Sequence, residues 1–203
     1  MPNVPPPLIL ASTSPRRREL MGLLGLPFEV VASRYDESLL PPDGLTPPEY
    51  VTRLARGKAS EVAARTEGDA LVIGADTTVL LDGQTLNKPA DAEDACRMLR
   101  LLSGRTHQVY TGLCLIAFRG GVIEDTQTDH AVTDVSFDTL PAETVAAYVA
   151  TGEPLDKAGA YGIQGKALSF IPGIRGDYFN VVGLPVFLLC KMLPRFGFSL
   201  WPS

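Results

Sequence analysis

Apolar residues along this chain alternate between short continuous runs and helical stripes. Residues 8–11 (LILA) form a run of the kind a buried parallel strand shows, and they stop at the polar Ser12-Thr13-Ser14. Ser14 followed by Pro15 predicts a helix start, because a serine hydroxyl caps a free backbone N–H and proline suits the first helical position. Gly25 is a stop for that helix, and residues 28–32 predict a second strand with Asp36 and Glu37 just beyond it. A proline- and glycine-rich loop over 39–48 closes on Thr46-Pro47-Pro48-Glu49, a capping-box pattern that opens a helix to about Arg65. Ala70–Leu81 predicts a strand, Asp82-Gly83 a hairpin turn, and Asp91 the cap of a helix ending at Ser103-Gly104. Residues 109–118 and 122–123 flank Gly120-Gly121 as a hairpin, residues 131–137 form a further strand, and residues 141–151 a helix that stops at Gly152. Residues 153–185 are too polar and glycine-rich for a core element and too rich in apolar side chains for a floppy linker, so they read as an ordered binding loop. Pro185 then opens a terminal apolar helix to about Leu193.

Length and composition narrow the class. The 203 residues, 45% hydrophobic and 20% charged, suit a single globular domain over 1–203, with 1–7 a disordered lead, 8–193 folded and 194–203 a tail. No apolar run approaches the roughly 20 residues a membrane helix needs, and the N-terminus lacks signal-peptide features, so a cytoplasmic protein without a membrane partner is expected. A net charge of -5 argues against charge-driven nucleic-acid binding while leaving room for a small basic pocket. Cys96, Cys114 and Cys190 lie far apart among apolar neighbours and read as free thiols; His107 and His130 show no metal-ligand spacing and read as structural or surface residues. The oligomeric state is not readable, and a homodimer is left open.

Several polar residues sit where pattern alone would not put them. Arg16, Arg17 and Arg18 crowd the first turn of a helix, where the dipole disfavours cations by roughly 0.3–1 kcal/mol each. An anion cradle and a solvated basic turn both account for them. Lys58 shares a helical stripe with Leu54 and Val62, so it either snorkels to solvent or reaches an anionic pocket. Asp76 lies between small residues in a very hydrophobic strand, and an unpaired carboxylate there costs several kcal/mol. Its partner is either a buried cation in a structural pair, or a ligand or metal for which small neighbours leave space. Lys88 follows just beyond that strand, and Asp177 adds an acid in the late loop. Ser12, Ser14, Arg16 and Arg17 with Lys58 and Lys88 can hold phosphates, and Glu37, Asp76 and Asp177 can hold a hard divalent ion against them. That is equipment for phosphoryl chemistry, yet no P-loop, dinucleotide-binding fingerprint or nucleophile-elbow motif is present.

The segments LASTSPRR (10–17), LARGKA (54–59), GADTTV (74–79), NKPADAEDACRMLRLLSGRTHQVYTG (87–112), LDKAGAYGIQG (155–165) and GDYFNVVGLP (176–185), in this order, resemble the Maf family of nucleoside triphosphate pyrophosphatases. The resemblance spans residues 8 to about 193. It implies a two-lobed α/β fold around an elongated mixed sheet with a central nucleotide cleft, shared in outline with inosine triphosphate pyrophosphatases. It also implies hydrolysis between the α- and β-phosphates, assisted by a divalent metal such as Mg²⁺ or Mn²⁺. By matching position, Asp76 is the catalytic acid/base and Glu37 its metal or water partner; Ser12, Ser14, Arg17, Lys58 and Lys88 hold phosphates; Arg16, Thr77 and Gln164 govern substrate choice. Gly57 departs from relatives that carry a larger polar residue beside the lysine, at a helix cost of about 0.5–1 kcal/mol.

Gln164 places the chain with the members that resemble dTTP and UTP pyrophosphatases, since its amide can pair with the N3–H and O4 edge of uracil or thymine. The sister subgroup acting on 7-methyl-GTP is expected to carry an acid there. A glutamine can also flip to suit cytosine, so a second fixed group is needed, and Thr77 and Arg16 are the candidates. The physiological substrate, whether a normal nucleotide or a modified one whose incorporation the enzyme limits, stays open. The competing readings are a catalytically silent nucleotide-binding regulator of cell division and a sugar-phosphate nucleotidyltransferase. Asp76, Glu37 and both lysines together favour turnover.

Overall fold

The computed structural model describes residues 5–201. Among them seven strands form one mixed sheet in the order β2-β1-β3-β5-β6-β7, with β4 paired to β3. The strands are β1 (Leu8–Leu10), β2 (Phe28–Val30), β3 (Ala70–Leu81), β4 (Gln84–Leu86), β5 (Thr106–Arg119), β6 (Val122–Ser136) and β7 (Gly173–Arg175). The helices are α1 (Pro15–Gly22), α2 (Pro47–Ala63), α3 (Ala92–Leu102), α4 (Ala142–Ala150), α5 (Tyr178–Val182) and α6 (Val186–Met192), with short 3-10 turns between them. No helix among the described residues is long and apolar enough to cross a membrane. The chain divides into two compact units. One comprises the residues up to Asp76, Thr111–Ala131 and those from Gly183 on; the other comprises Thr77–Tyr110 and Val132–Val182.

In the first unit β1 pairs in parallel with both β2 and β3. Its core joins Ile9, Ala11, Ala70 and Val72 of the sheet to Ala55, Ala59 and Val62 of α2. Thr46 and Glu49 close the capping box that starts α2, with the Thr46 N–H donating to the Glu49 carboxylate at 2.9 Å. In the second unit β3 turns at Asp82-Gly83 into β4, with Val79 opposite Leu86. Asp91 caps α3 by accepting from the Asp94 N–H at 2.9 Å. Leu99 and Leu102 of α3, Val145 and Tyr148 of α4, and Phe137, Tyr161 and Phe170 make up much of that unit's core.

Three sequence expectations are corrected. Residues 122–123 and 131–136 belong to one fifteen-residue strand, β6, not two, and Phe137 lies just past its end. Its middle stretch, EDTQTDH, is polar and only half-buried or exposed, so no apolar alternation marks it; it is held as a strand by its place beside β5. The stretch read as loop over 153–185 contains β7 and the five-residue α5, both too short for a period to show. Pro7 lies in the expected lead, yet its carbonyl accepts from the Leu71 N–H at 2.9 Å. Residues 1–4 of that lead and 202–203 of the expected tail lie outside the described residues. The three cysteines are free thiols, with Cys114 fully buried.

Candidate active site

The site begins where β1 ends partway along the longer parallel strand β3. Leu10 lies opposite Ile73, and Ala11 extends the ladder by donating to the Ile73 carbonyl at 2.8 Å. The end of β1 is thereby aligned with the residues that lead to Asp76. The chain turns at Ser12, whose Oγ accepts from the Ser14 N–H at 3.2 Å and from Arg17 Nη1 at 3.4 Å. Ser14 caps α1 by accepting from the Arg17 N–H at 3.4 Å, with Pro15 at the first helical position. Arg17 Nε donates to the Gly183 carbonyl at 2.7 Å, fixing the guanidinium beside the turn. The first turn of α1 holds no acidic residue, only Arg16, Arg17 and Arg18.

Lys58 arrives from α2 through a close approach of helix to strand. A Cβ added to Gly74 would lie 2.2 Å from the Ala55 carbonyl oxygen and 2.9 Å from the Ala59 Cβ, so only glycine admits the helix backbone there. Lys58 stands between those contacts. Its Nζ lies 2.5 Å from Asp76 Oδ1 and 2.8 Å from Glu37 Oε1, and its side chain is 12% exposed. The ammonium is turned to two carboxylates, not to solvent. Asp76 is 7% exposed. Burial pushes its carboxyl above the ordinary aspartate range, while the Lys58 ammonium and the Arg17 guanidinium pull it back. Burial likewise lowers the Arg17 guanidinium, opposed by the attraction of Asp76.

Glu37 comes from a 3-10 turn, Glu37–Leu39, whose start is fixed by Asp36 Oδ1 accepting from the Ser38 N–H at 3.0 Å and the Ser38 hydroxyl at 2.6 Å. Two residues earlier the Tyr35 ring lies on α2 at Gly57, where an added Cβ would sit 2.5 Å from the ring. Gly57 thus makes room for Tyr35 next to Lys58, a role its sequence neighbours do not reveal.

A divalent cation can be tested against this donor set. Among the described residues no three His, Cys, Asp or Glu gather into a metal site. Glu37 and Asp76, however, both touch the one Lys58 ammonium and so lie within reach of a single positive charge. A hard ion such as Mg²⁺ needs only one or two carboxylates when phosphate oxygens and water complete its shell, so these residues fit it.

The first unit therefore assembles Ser12, Ser14, Arg17, Glu37, Lys58 and Asp76, with Arg16 half-buried beside Arg17. Thr77, Lys88 and Gln164 belong to the second unit. Thr77 follows Asp76 in β3 and is half-buried. Lys88 is exposed just after β4, next to Asn87, whose Oδ1 accepts from the Thr78 hydroxyl at 2.9 Å and whose carbonyl accepts from the Gly159 N–H at 3.2 Å. Gln164 is exposed between Ile163 and Gly165. Asp177, expected among the site acids, accepts from the Phe179 N–H at 2.8 Å through Oδ1, and its backbone is tied to Thr133. It starts α5. Tyr35 and the Gly183 carbonyl were missed by the sequence reading, because nothing local marks a ring that packs on a distant glycine or a carbonyl that meets a distant arginine.

Comparison with known proteins gives concordant findings. The family model described as Maf-like protein matches residues 7–196. The chain is 52% identical over 194 residues to a dTTP/UTP pyrophosphatase of Moorella thermoacetica, covering 96% of this chain and 97% of that one. It is 50% identical over 192 residues to the dTTP/UTP pyrophosphatase of Pelotomaculum thermopropionicum, covering 95% and 97%. Among solved structures, a nucleoside-triphosphatase / dITP/XTP pyrophosphatase from Mycobacterium abscessus is similar only distantly, at 18% identity and a TM-score of 0.40 over 66% of this chain and 75% of that one.

Proposed function

The chain belongs to the Maf-like protein family, and from that membership we propose that it hydrolyses dTTP and UTP to the nucleoside monophosphate and pyrophosphate. The observation that carries this reading is Asp76, a buried carboxylate held 2.5 Å from Lys58 beside a helix N-terminus with three arginines in its first turn. Relatives about half identical over nearly the whole chain are named for the same activity.

The roles follow from the chemistry of the groups. Arg17 and the hydroxyls of Ser12 and Ser14, gathered at the start of α1, bind phosphate oxygens. Lys58 adds a point charge from α2, and Lys88 is assigned a similar one. Asp76 takes the proton of the water that attacks the α-phosphorus. Burial raises its affinity for a proton above that of an ordinary aspartate. The new P–O bond forms as the bond from the α-phosphorus to the bridging oxygen breaks, and pyrophosphate leaves with that electron pair. Glu37 and Asp76 would hold a divalent metal, Mg²⁺ or Mn²⁺, which when bound neutralises phosphate charge and lowers the pKa of water. Gln164, with Arg16 and Thr77, selects the base. Its amide accepts from N3–H and donates to O4 of thymine or uracil.

Product analysis with divalent metal added tests the reading. Formation of dTMP and pyrophosphate in equal amounts from dTTP is expected. Release of orthophosphate with dTDP would place the cleavage at the wrong bond, and no turnover of dTTP or UTP would leave only a nucleotide binder.

A further inference from the structure

We propose that Glu153, braced by Tyr148, is a positioning residue that fixes the backbone presenting Gln164 and thereby sharpens base selection. The proposal rests on the reading of Gln164 given above. Tyr148 belongs to α4, is 4% exposed, and meets Phe170 edge-on with ring centroids 5.1 Å apart. Its hydroxyl donates to Glu153 Oε1 at 2.9 Å and accepts from the Gly162 N–H at 3.3 Å. The other carboxylate oxygen of Glu153 accepts from the Lys166 N–H at 3.1 Å. Gly162 and Lys166 flank Gln164 two residues before and two residues after, so one connected pair of side chains grips the loop on both sides of the exposed amide.

The sequence makes room for this grip. A Cβ on Gly165 would fall 1.9 Å from Glu153 Oε1 and 2.4 Å from its Cδ, so the carboxylate lies in the space a side chain would take. Gly165 N–H also closes a turn onto the Gly162 carbonyl at 2.9 Å, directly around Gln164. Lys157 does not claim the carboxylate. Its ammonium goes to the Glu153 backbone carbonyl and to Asp156 Oδ1, each at 2.6 Å. Burial, reinforced by Glu153, raises the Tyr148 phenol above its ordinary value, so it stays a donor throughout the working range.

The consequence for selectivity is physical. A glutamine amide can present either order of donor and acceptor, so it tells uracil from cytosine only where its backbone is fixed against a second recognition group. A loop that moves lets the amide re-aim and pays a larger ordering entropy on binding. Glu153 removes that freedom without touching the nucleotide.

The test compares kcat/KM for dTTP and CTP in wild type, Glu153→Ala, Tyr148→Phe, Gln164→Ala and the Glu153→Ala/Gln164→Ala double variant, alongside thermal melting and amide hydrogen exchange. Glu153→Ala should reduce the dTTP-to-CTP ratio by about tenfold, chiefly through KM for dTTP, and speed exchange at the amides of Gly162 and Lys166. Tyr148→Phe removes one hydroxyl and should act in the same direction, about threefold. In the double variant the ratio should be no lower than in Gln164→Ala alone, since Glu153 acts through that residue. Glu153→Gln keeps an acceptor for Tyr148 and should recover part of the ratio. A lowered melting temperature with an unchanged ratio in both Glu153→Ala and Tyr148→Phe would make the pair a mere staple and overturn the proposal. Additive effects in the double variant would overturn it as well. If Gln164→Ala itself left the ratio unchanged, the reading of Gln164 would fall and this proposal with it.

Discussion

His107 should make the protein lose stability in mild acid, beginning near pH 6.5, above the range where most carboxylates titrate. The imidazole is 2% exposed, wedged between the rings of Phe137 and Tyr161 at centroid distances of 5.1 and 5.3 Å. Its Nε2 shares a hydrogen bond of 2.8 Å with the Tyr161 hydroxyl, and its Nδ1 has no hydrogen-bond partner among the described residues. Burial lowers its pKa from 6.5 to about 4. Between those values the unfolded chain binds a proton that the folded chain refuses, so stability rises with pH there and falls as pH drops below 6.5. At 1.36 kcal/mol per unit the loss is about 2 kcal/mol at pH 5 and about 3 kcal/mol once the pH reaches about 4. His107→Gln keeps a polar group for Tyr161 and does not titrate. Urea unfolding at about pH 7.5 and about pH 5 for both proteins isolates the histidine, because the carboxylates contribute equally to each. Wild type should lose about 2 kcal/mol more than the variant over that interval. An equal loss in the two proteins would refute the reasoning.

Asp76→Asn should keep the fold and nucleotide binding but lower kcat by on the order of 10²–10⁴, measured as pyrophosphate release; near-normal turnover would remove Asp76 from the mechanism. Gly57→Ala gains up to about 1 kcal/mol in helix propensity, but its Cβ would meet the Tyr35 ring at 2.5 Å, and overpacking costs about 1–3 kcal/mol. A net loss of stability in urea is expected, and a stabilised variant would show that Tyr35 is not held there. Gln164→Glu should erode the preference for dTTP and UTP over CTP, wild type favouring them by at least about tenfold, because a carboxylate cannot donate to O4. An unchanged ranking in steady-state kinetics would show that the residue does not read the base.

Most of the regular structure could be read from local rules. The Ser14-Pro15 start of α1, the capping box of α2, the full span of β3 and the Asp91 cap of α3 all rest on residues within one turn of the feature they specify. The middle of β6 could not be read, since its polar residues follow no period and depend on a neighbouring strand. β7 and α5 are shorter than any period needs. The same division holds for the candidate site. Lys58 and Asp76 stood out because each broke an apolar pattern, and the structure pairs them. Asp177 stood out for its chemistry alone and turned out to start a helix. Glu153 and Tyr148 raised no signal. An acid after a glycine and a tyrosine in an amphipathic helix are ordinary, and only the fold sets them against the loop that carries Gln164.

The opening turn of α1 sets three arginines and no acid at the positive end of a short helix, and the carboxylates of Asp76 and Glu37 supply opposing charge to Arg17 from outside the helix. An anion bound at that turn would complete the compensation. A ligand held there only by the folded chain adds RT ln(1 + [L]/Kd) to stability, about 2.7 kcal/mol at a hundredfold excess over Kd. The size of the cell's nucleotide pool would then help set how long each folded copy of the protein survives.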